Sequence, residues 1–402
     1  MSLIDDSRYF NLKFNQVDEV VYLPEKGIQV LNQPFFSKGN SRFLESISLC
    51  GKRSQFPADF SGVCDKPDFQ RDILGLDKAI TRNNSFKYSI IKGPSCSKSK
   101  EALIFFHGLN ERKWDKYLPW AEILHRLTGK TVILFPIAYH MNRAPESWSE
   151  PRLMNYLSKT RKKMFPGLRS SSFANAAISC RLHDEPARFM TSVMQTFQDV
   201  VSLAGQIRDG RNPHFDRDAS IDFFAYSIGC FLSLIIVMTD PRELFSDSRL
   251  CMFCGGAAML TTRPEGKSIM DSLANKELNS FFYRFLDSED DFSAGASFDE
   301  RAVNFFRALL DRERLSDIRD DRLRQLADRL FVIGLQKDIV VPPCALEWTF
   351  SGSKGDLPIR RSYLDFEYPY THQEPFPLME KRSREIEKSF ERSFSMAAAY
   401  LS

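Results

Sequence analysis

A serine, a carboxylate and a histidine, spread along the second half of the chain, have the types and settings that acyl transfer needs. Ala225, Tyr226, Ser227, Ile228 and Gly229 read small-x-Ser-x-Gly, the pattern of a nucleophile elbow. The chain there turns so tightly from strand into helix that the positions two before and two after the serine tolerate almost no side chain. A serine held in that turn stands at the end of its strand with a helix N-terminus behind it. Such a string arises by chance roughly 0.3 times in a chain of this length at average composition, and Ser351, Gly352, Ser353, Lys354 and Gly355 match it equally well. Context decides between them. Only Ser227 has an apolar run before it, Ile221 to Tyr226, and an apolar helical stretch after it, Ile228 to Met238.

A serine hydroxyl becomes a nucleophile when an imidazole takes its proton and a carboxylate fixes the tautomer of that imidazole. Asp338 lies just beyond the apolar run Leu330 to Leu335, and His372 enters a loop after one more predicted strand, Ile359 to Tyr368. They are the favoured acid and base. Asp338 also has a plainer reading as a turn or cap residue, while Asp365 and Glu367 are weaker carboxylates because they fall inside a predicted strand. Attack on a carbonyl creates an oxyanion that needs backbone amides aimed at it. Ile228 supplies one as the helix begins, and the other is assigned to Leu109, in the run Phe106, His107, Gly108, Leu109, Asn110 at the end of an earlier strand. Asn110 could assist; His107 reads as a packed structural histidine. The chain order Ser227, Asp338, His372 puts the three at the ends of successive strands, where an open parallel sheet keeps its active sites.

The elements that must position them follow from hydrophobic pattern. Ala102 to Phe106, Thr131 to Ile137, Ile221 to Tyr226, Leu250 to Cys254 and Leu330 to Leu335 are nearly continuous apolar runs. Continuity rather than alternation marks strands covered on both faces, hence an α/β fold with a mostly parallel sheet and helices on either side. Helical spacing joins them: Tyr117 to Leu127, with Pro119 near its start and Gly129 as a stop, then Phe189 to Ile207, and a closing amphipathic helix from Leu378 through Ile386, Phe390, Phe394 and Ala397. Residues 1–85 read as an N-terminal extension of unclear role, and Phe86 to Ile91 as an antiparallel edge strand. Residues 140–188 are too long for a plain connection and read as a lid or flank. Their cations Lys159, Arg161, Lys162, Lys163 and Arg169 suggest a solvated face. Residues 257–328 read as a helical insertion, one helix opened by a capping box from Ser297 to Glu300. The core is then 86–256 with 329–402.

Composition narrows the function. At 402 residues, 43% hydrophobic and 27% charged, this is a folded globular chain rather than a disordered or collagenous one. Against 52 acidic residues stand 55 basic ones, a net +3, too weak a field to make nucleic acid the expected partner. The eight cysteines sit mostly in apolar runs and read as reduced thiols. No secretory signal and no span of about 18 apolar residues is present, so a cytoplasmic protein is expected. Cys251 and Cys254 lack a second Cys or His pair, and no Gly-rich phosphate loop occurs, so neither metal nor cofactor is expected.

Over residues 86–402 the chain resembles the α/β-hydrolase superfamily, through A-Y-S-I-G at the elbow, F-H-G-L-N after the earlier strand, Q-K-D-I-V-V-P-P, and the T-H-Q loop. Ala225 stands where the common pattern has glycine. The stretch Phe135 to Arg143 is also similar to that of an uncharacterised bacterial branch. The resemblance implies an eight-stranded, mostly parallel sheet and makes residues 257–328 a cap over the pocket. The expected activity is that of a serine esterase or thioesterase on a small-molecule acyl substrate, its 35 Phe suggesting apolar acyl groups. The competing expectation is a noncatalytic ligand-binding or interaction scaffold on the same fold.

Overall fold

Alternate side chains of the central strands enter two separate cores, which is why those strands are apolar throughout. The structure, a computed structural model, describes residues 2–38, 72–73, 75, 77–95, 97–288 and 298–402. Its strands are β1 (Val20–Leu23), β2 (Ile28–Phe36), β3 (Ser85–Lys92), β4 (Ser99–Phe106), β5 (Thr131–Leu134), β6 (Phe215–Tyr226), β7 (Leu250–Phe253), β8 (Leu330–Leu335) and β9 (Arg360–Leu364). They form one nine-stranded sheet in the order β1-β2-β3-β5-β4-β6-β7-β8-β9. Pairings from β5 to β9 are parallel, and those from β1 through β3 to β5 antiparallel.

On β4, Ala102, Ile104 and Phe106 point into one core while Leu103 and Phe105 point into the other; on β6, Phe223 and Phe224 divide the same way. The first core is closed by α5 (Arg188–Arg208) and α6 (Ile228–Thr239), and the second by α1 (Leu3–Lys13), α2 (Leu118–Thr128) and α11 (Ser383–Leu401). Each buried phenylalanine contributes about 2 to 3 kcal/mol of transfer free energy. The molecule thus has an α/β-hydrolase-like, mostly parallel sheet with helices on both faces. Gly129 ends α2 in a left-handed conformation, φ 73°, as a C-terminal stop should.

Several expectations need correction. Among the described residues the sheet has nine strands rather than eight: seven fall in residues 85–402, and residues 20–36 add β1 and β2. Phe86 to Ile91 is antiparallel but interior, flanked by β2 and β5. Pro34 is tolerated within β2 because β1 pairs only with Ile28–Leu31, leaving the far half of β2 as the sheet's edge. β5 stops at Leu134, short of Pro136, and the closing helix begins at Ser383 rather than Leu378. Ser297 lies outside the described residues, and the N-cap of α8 (Glu300–Ala308) is Asp299, whose carboxylate accepts from the amides of Arg301 and Ala302.

Residues 140–188 contribute α3 (Pro151–Met164) and α4 (Ala176–Asp184), and α7 (Ser272–Asp287) packs on α4. Arg161 on α3 is not part of a solvated face. It is fully buried and ion-paired to Asp271 at 2.7 Å, and Asp271 in turn caps α7 through the amide of Ala274. Lys159, Lys162, Lys163 and Arg169 are exposed. The reach of the cation, rather than the charge of the run, therefore joins the two insertions. Cys180, Cys230, Cys251, Cys254 and Cys344 are free thiols, whereas Cys50, Cys64 and Cys96 lie outside the described residues. Among the described residues no helix is long and apolar enough to cross a membrane.

Candidate active site

From β4 the chain moves to β5 on one side and then to β6 on the other. That reversal opens a crevice at the carboxyl ends of β4 and β6, the place where open α/β sheets bind ligands. Leu109 and Ser227 follow those two strand ends. Ser227 has φ 55° and ψ −119°, a region costly for any residue with a side chain, by about 1 to 3 kcal/mol, and found where surrounding structure imposes it. Part of the imposition comes from Gly229: a Cβ there would lie 2.7 Å from that of Phe106 and 3.0 Å from two backbone oxygens. The amide of Ser227 donates to the carbonyl of Phe253 at 3.1 Å. Gly255, which the sequence pattern did not single out, lets its loop pass the Ser227 carbonyl where any Cβ would collide.

Ser227 Oγ lies 2.7 Å from Nε2 of His372, and Nδ1 of His372 lies 2.7 Å from Oδ2 of Asp338. The other oxygen of Asp338 accepts from the amides of Val340 and Val341, at 2.8 and 2.9 Å. One carboxylate thus both caps its own turn and holds the imidazole of His372. A carboxylate only accepts, so Nδ1 carries the proton and Nε2 presents its lone pair to the serine hydroxyl. Asp365 does not approach the histidine. It bonds to Lys337 and Tyr370 at the surface, and those hydrogen bonds, Lys337 first, hold its carboxyl below the usual range. Glu367 is exposed, and the decoy Ser353 sits in an exposed turn with its amide on Asp320.

The amides of Leu109 and Ile228 have no acceptor among the described residues, whereas that of Gly108 donates to the Tyr117 hydroxyl at 3.0 Å. The side chain of Asn110 is committed elsewhere, donating to the carbonyls of Ala174 and Ser268 at 2.8 Å each. Both ring nitrogens of His107 are committed to the backbone: Nδ1 donates to the Gly108 carbonyl and Nε2 accepts from the Ile137 amide. Sequence reasoning missed a group of residues that steadies the histidine loop. The Tyr226 hydroxyl donates to the His372 carbonyl and its ring stacks on the imidazole at 5.6 Å. Lys116, bonded to Glu111, donates to the carbonyl of Gln373 at 3.2 Å. No spacing rule marks such residues, because their partners are distant in sequence. A cleft with about 600 Å³ of empty space opens in front of Ser227 and His372, walled by Phe231, Met259, Ile269 and Val341.

Burial pushes the imidazoles of His107 and His140 down to about 3, so both are neutral in the folded state. Unfolding exposes them to water, where they take protons near their ordinary value of about 6.5. Their stabilising effect is therefore complete above that pH and declines as pH falls from about 6.5 toward 3. Each histidine should cost roughly 1.4 kcal/mol per pH unit within that window. Urea unfolding at pH 7, 6 and 5 checks this: stability should fall on acidification, and a flat or rising profile would contradict it.

Among curated proteins, none matches the chain. Similar solved structures include a variant of the esterase rPPE, at 10% identity and TM-score 0.47, with 100% of this chain and 88% of that one covered. Carboxyl esterase 2 of the mycorrhizal fungus Tuber melanosporum is similar at 11% identity and TM-score 0.40, covering 79% and 84%. Vibralactone cyclase is similar at 10% and 0.43, covering 99% and 85%. Such distant likeness leaves the site geometry to speak for itself. At the level of sequence families, the model of a family of unknown function, DUF6051, matches residues 1–402, and the chain belongs to that family.

Proposed function

We propose that this protein is a serine hydrolase of carboxylic esters or thioesters. Ser227 Oγ attacks the acyl carbonyl as its proton passes to Nε2 of His372, and Asp338 stabilises the imidazolium. The amides of Ile228 and Leu109 hold the tetrahedral oxyanion, each worth about 3 kcal/mol of barrier. Collapse expels the alcohol or thiol, which leaves with the proton from His372. Water then attacks the acyl-serine, delivers a proton to His372, and the acid departs as Ser227 regains its hydrogen. Residues 257–328 serve as a cap, since Met259 and Ile269 stand on the cleft wall, over a core of 86–256 and 329–402, with residues 1–85 as the N-terminal extension.

The reading rests chiefly on the unbroken hydrogen-bond chain from Ser227 through His372 to Asp338 at the mouth of an apolar cleft. A fluorophosphonate probe tests it, because only an activated serine reacts. Folded protein should be labelled at Ser227, and Ser227→Ala should not be labelled at all. Absence of labelling in folded protein would favour the noncatalytic scaffold.

A further inference from the structure

A second cavity, with about 620 Å³ of empty space, adjoins the first at Leu109 and Ile228, the two residues assigned to the oxyanion. Ile137, Ile178, Leu182, Phe189 and Val193 give it apolar walls, and polar groups unused by the proton path stand among them. Arg181 and Arg188 there are matched by Asp77 and Asp184. Arg112 makes no ion pair among the described residues: it lies over the Trp148 ring at 5.4 Å, donates to Asn110 Oδ1 and feels the charge of Glu111, and its Nε is buried with no hydrogen-bond partner among those residues. Burial lowers its affinity for the proton, yet only to about 10, so the charge persists. His140, 5% exposed, uses Nδ1 to donate to the Ala138 carbonyl, and its Nε2 lone pair has no donor among the described residues.

The backbone supports a purpose for this histidine. Tyr139 and Met141, on either side of it, have φ of 64° and 49°, left-handed conformations uncommon for residues with side chains and concentrated at functional sites. The loop is pinned by the buried pair of Arg143 and Asp199 at 2.8 Å. His372 lines the first cavity and not the second. A leaving group must sit beside His372 to receive its proton, so the second cavity is left for the acyl half.

Resting on the hydrolase reading, we propose that the second cavity binds the acyl chain of the substrate, that this chain ends in a carboxylate received by Arg112, and that it carries a hydroxyl donated to Nε2 of His140. The substrate class is the half-ester or half-thioester of a hydroxylated dicarboxylic acid. Arg112 acts by binding and takes no part in bond making.

The test compares ethanol release from monoethyl 3-hydroxyglutarate, monoethyl glutarate and ethyl pentanoate. In the wild type, KM should be lowest for the first and at least tenfold higher for ethyl pentanoate. Arg112→Gln should raise KM for both half-esters about tenfold, change kcat less than threefold and leave KM for ethyl pentanoate unmoved, while Arg112→Lys should retain part of the preference. Loss spread alike over charged and neutral esters, or a wild-type preference for ethyl pentanoate, would overturn the proposal. If no ester is turned over, the hydrolase reading fails separately, and calorimetry with monoethyl 3-hydroxyglutarate decides the subsite. Tighter binding to wild type than to Arg112→Gln upholds it; equal or absent binding overturns it.

Discussion

Ser227→Ala and His372→Ala are each expected to slow turnover of an accepted ester by about a millionfold, and the double variant by no more than either alone. In the proposed mechanism the two side chains act as one device. Without the serine oxygen there is nothing for the imidazole to deprotonate, and without the imidazole the hydroxyl, 2.7 Å away, keeps its proton and stays a poor nucleophile. What remains, roughly 10³ to 10⁴ over the uncatalysed reaction, belongs to the oxyanion donors and to substrate binding. Steady-state kcat for the three variants against one ester measures this. Losses that multiplied in the double variant would mean that Ser227 and His372 act on separate steps, and the mechanism would need another base.

The parts of this molecule that a reader of the sequence can find are those whose signal is local. β8 (Leu330–Leu335) is bounded as expected because a doubly buried strand must be apolar along its whole length, and α5 because one face of a helix must be. Ser227 stands out because tight backbone approach restricts its neighbours at fixed offsets, a demand met here by Gly229 against Phe106. The signal fails where pairing decides. Nothing in Ile28–Phe36 states which strand it will join, and a long stretch separates it from β3, so the outer sheet was unreadable. Charge runs mislead in the same way: Arg161 and Lys162 are neighbours in sequence, yet only Arg161 points inward to meet Asp271, over a hundred residues on. Tyr226 and Lys116 steady the histidine loop through contacts that exist only once the sheet has formed.

Asp338→Asn should lower kcat by about 10⁴-fold, while Asp365→Asn should change it less than threefold. The reason lies in how the Asp338 carboxylate divides its oxygens. Oδ1 accepts two backbone amides, from Val340 and Val341, and Oδ2 faces Nδ1 of His372. An asparagine must keep its single oxygen toward the two amides, because turning its NH₂ group to them would leave donors facing donors in a buried site. The NH₂ then faces Nδ1, which can no longer donate and becomes the acceptor. The ring proton moves to Nε2, which then donates to the serine hydroxyl instead of accepting from it. The fold is spared, since the amide caps remain, but the base is held in the wrong tautomer. Asp365 offers no such lever: it is an exposed partner of Lys337, and exposed ion pairs contribute about 1 kcal/mol or less. Stopped-flow or steady-state kcat for the two variants, with circular dichroism to verify folding, ranks the carboxylates, and a larger loss at Asp365 would move the acid of the relay away from the end of β8.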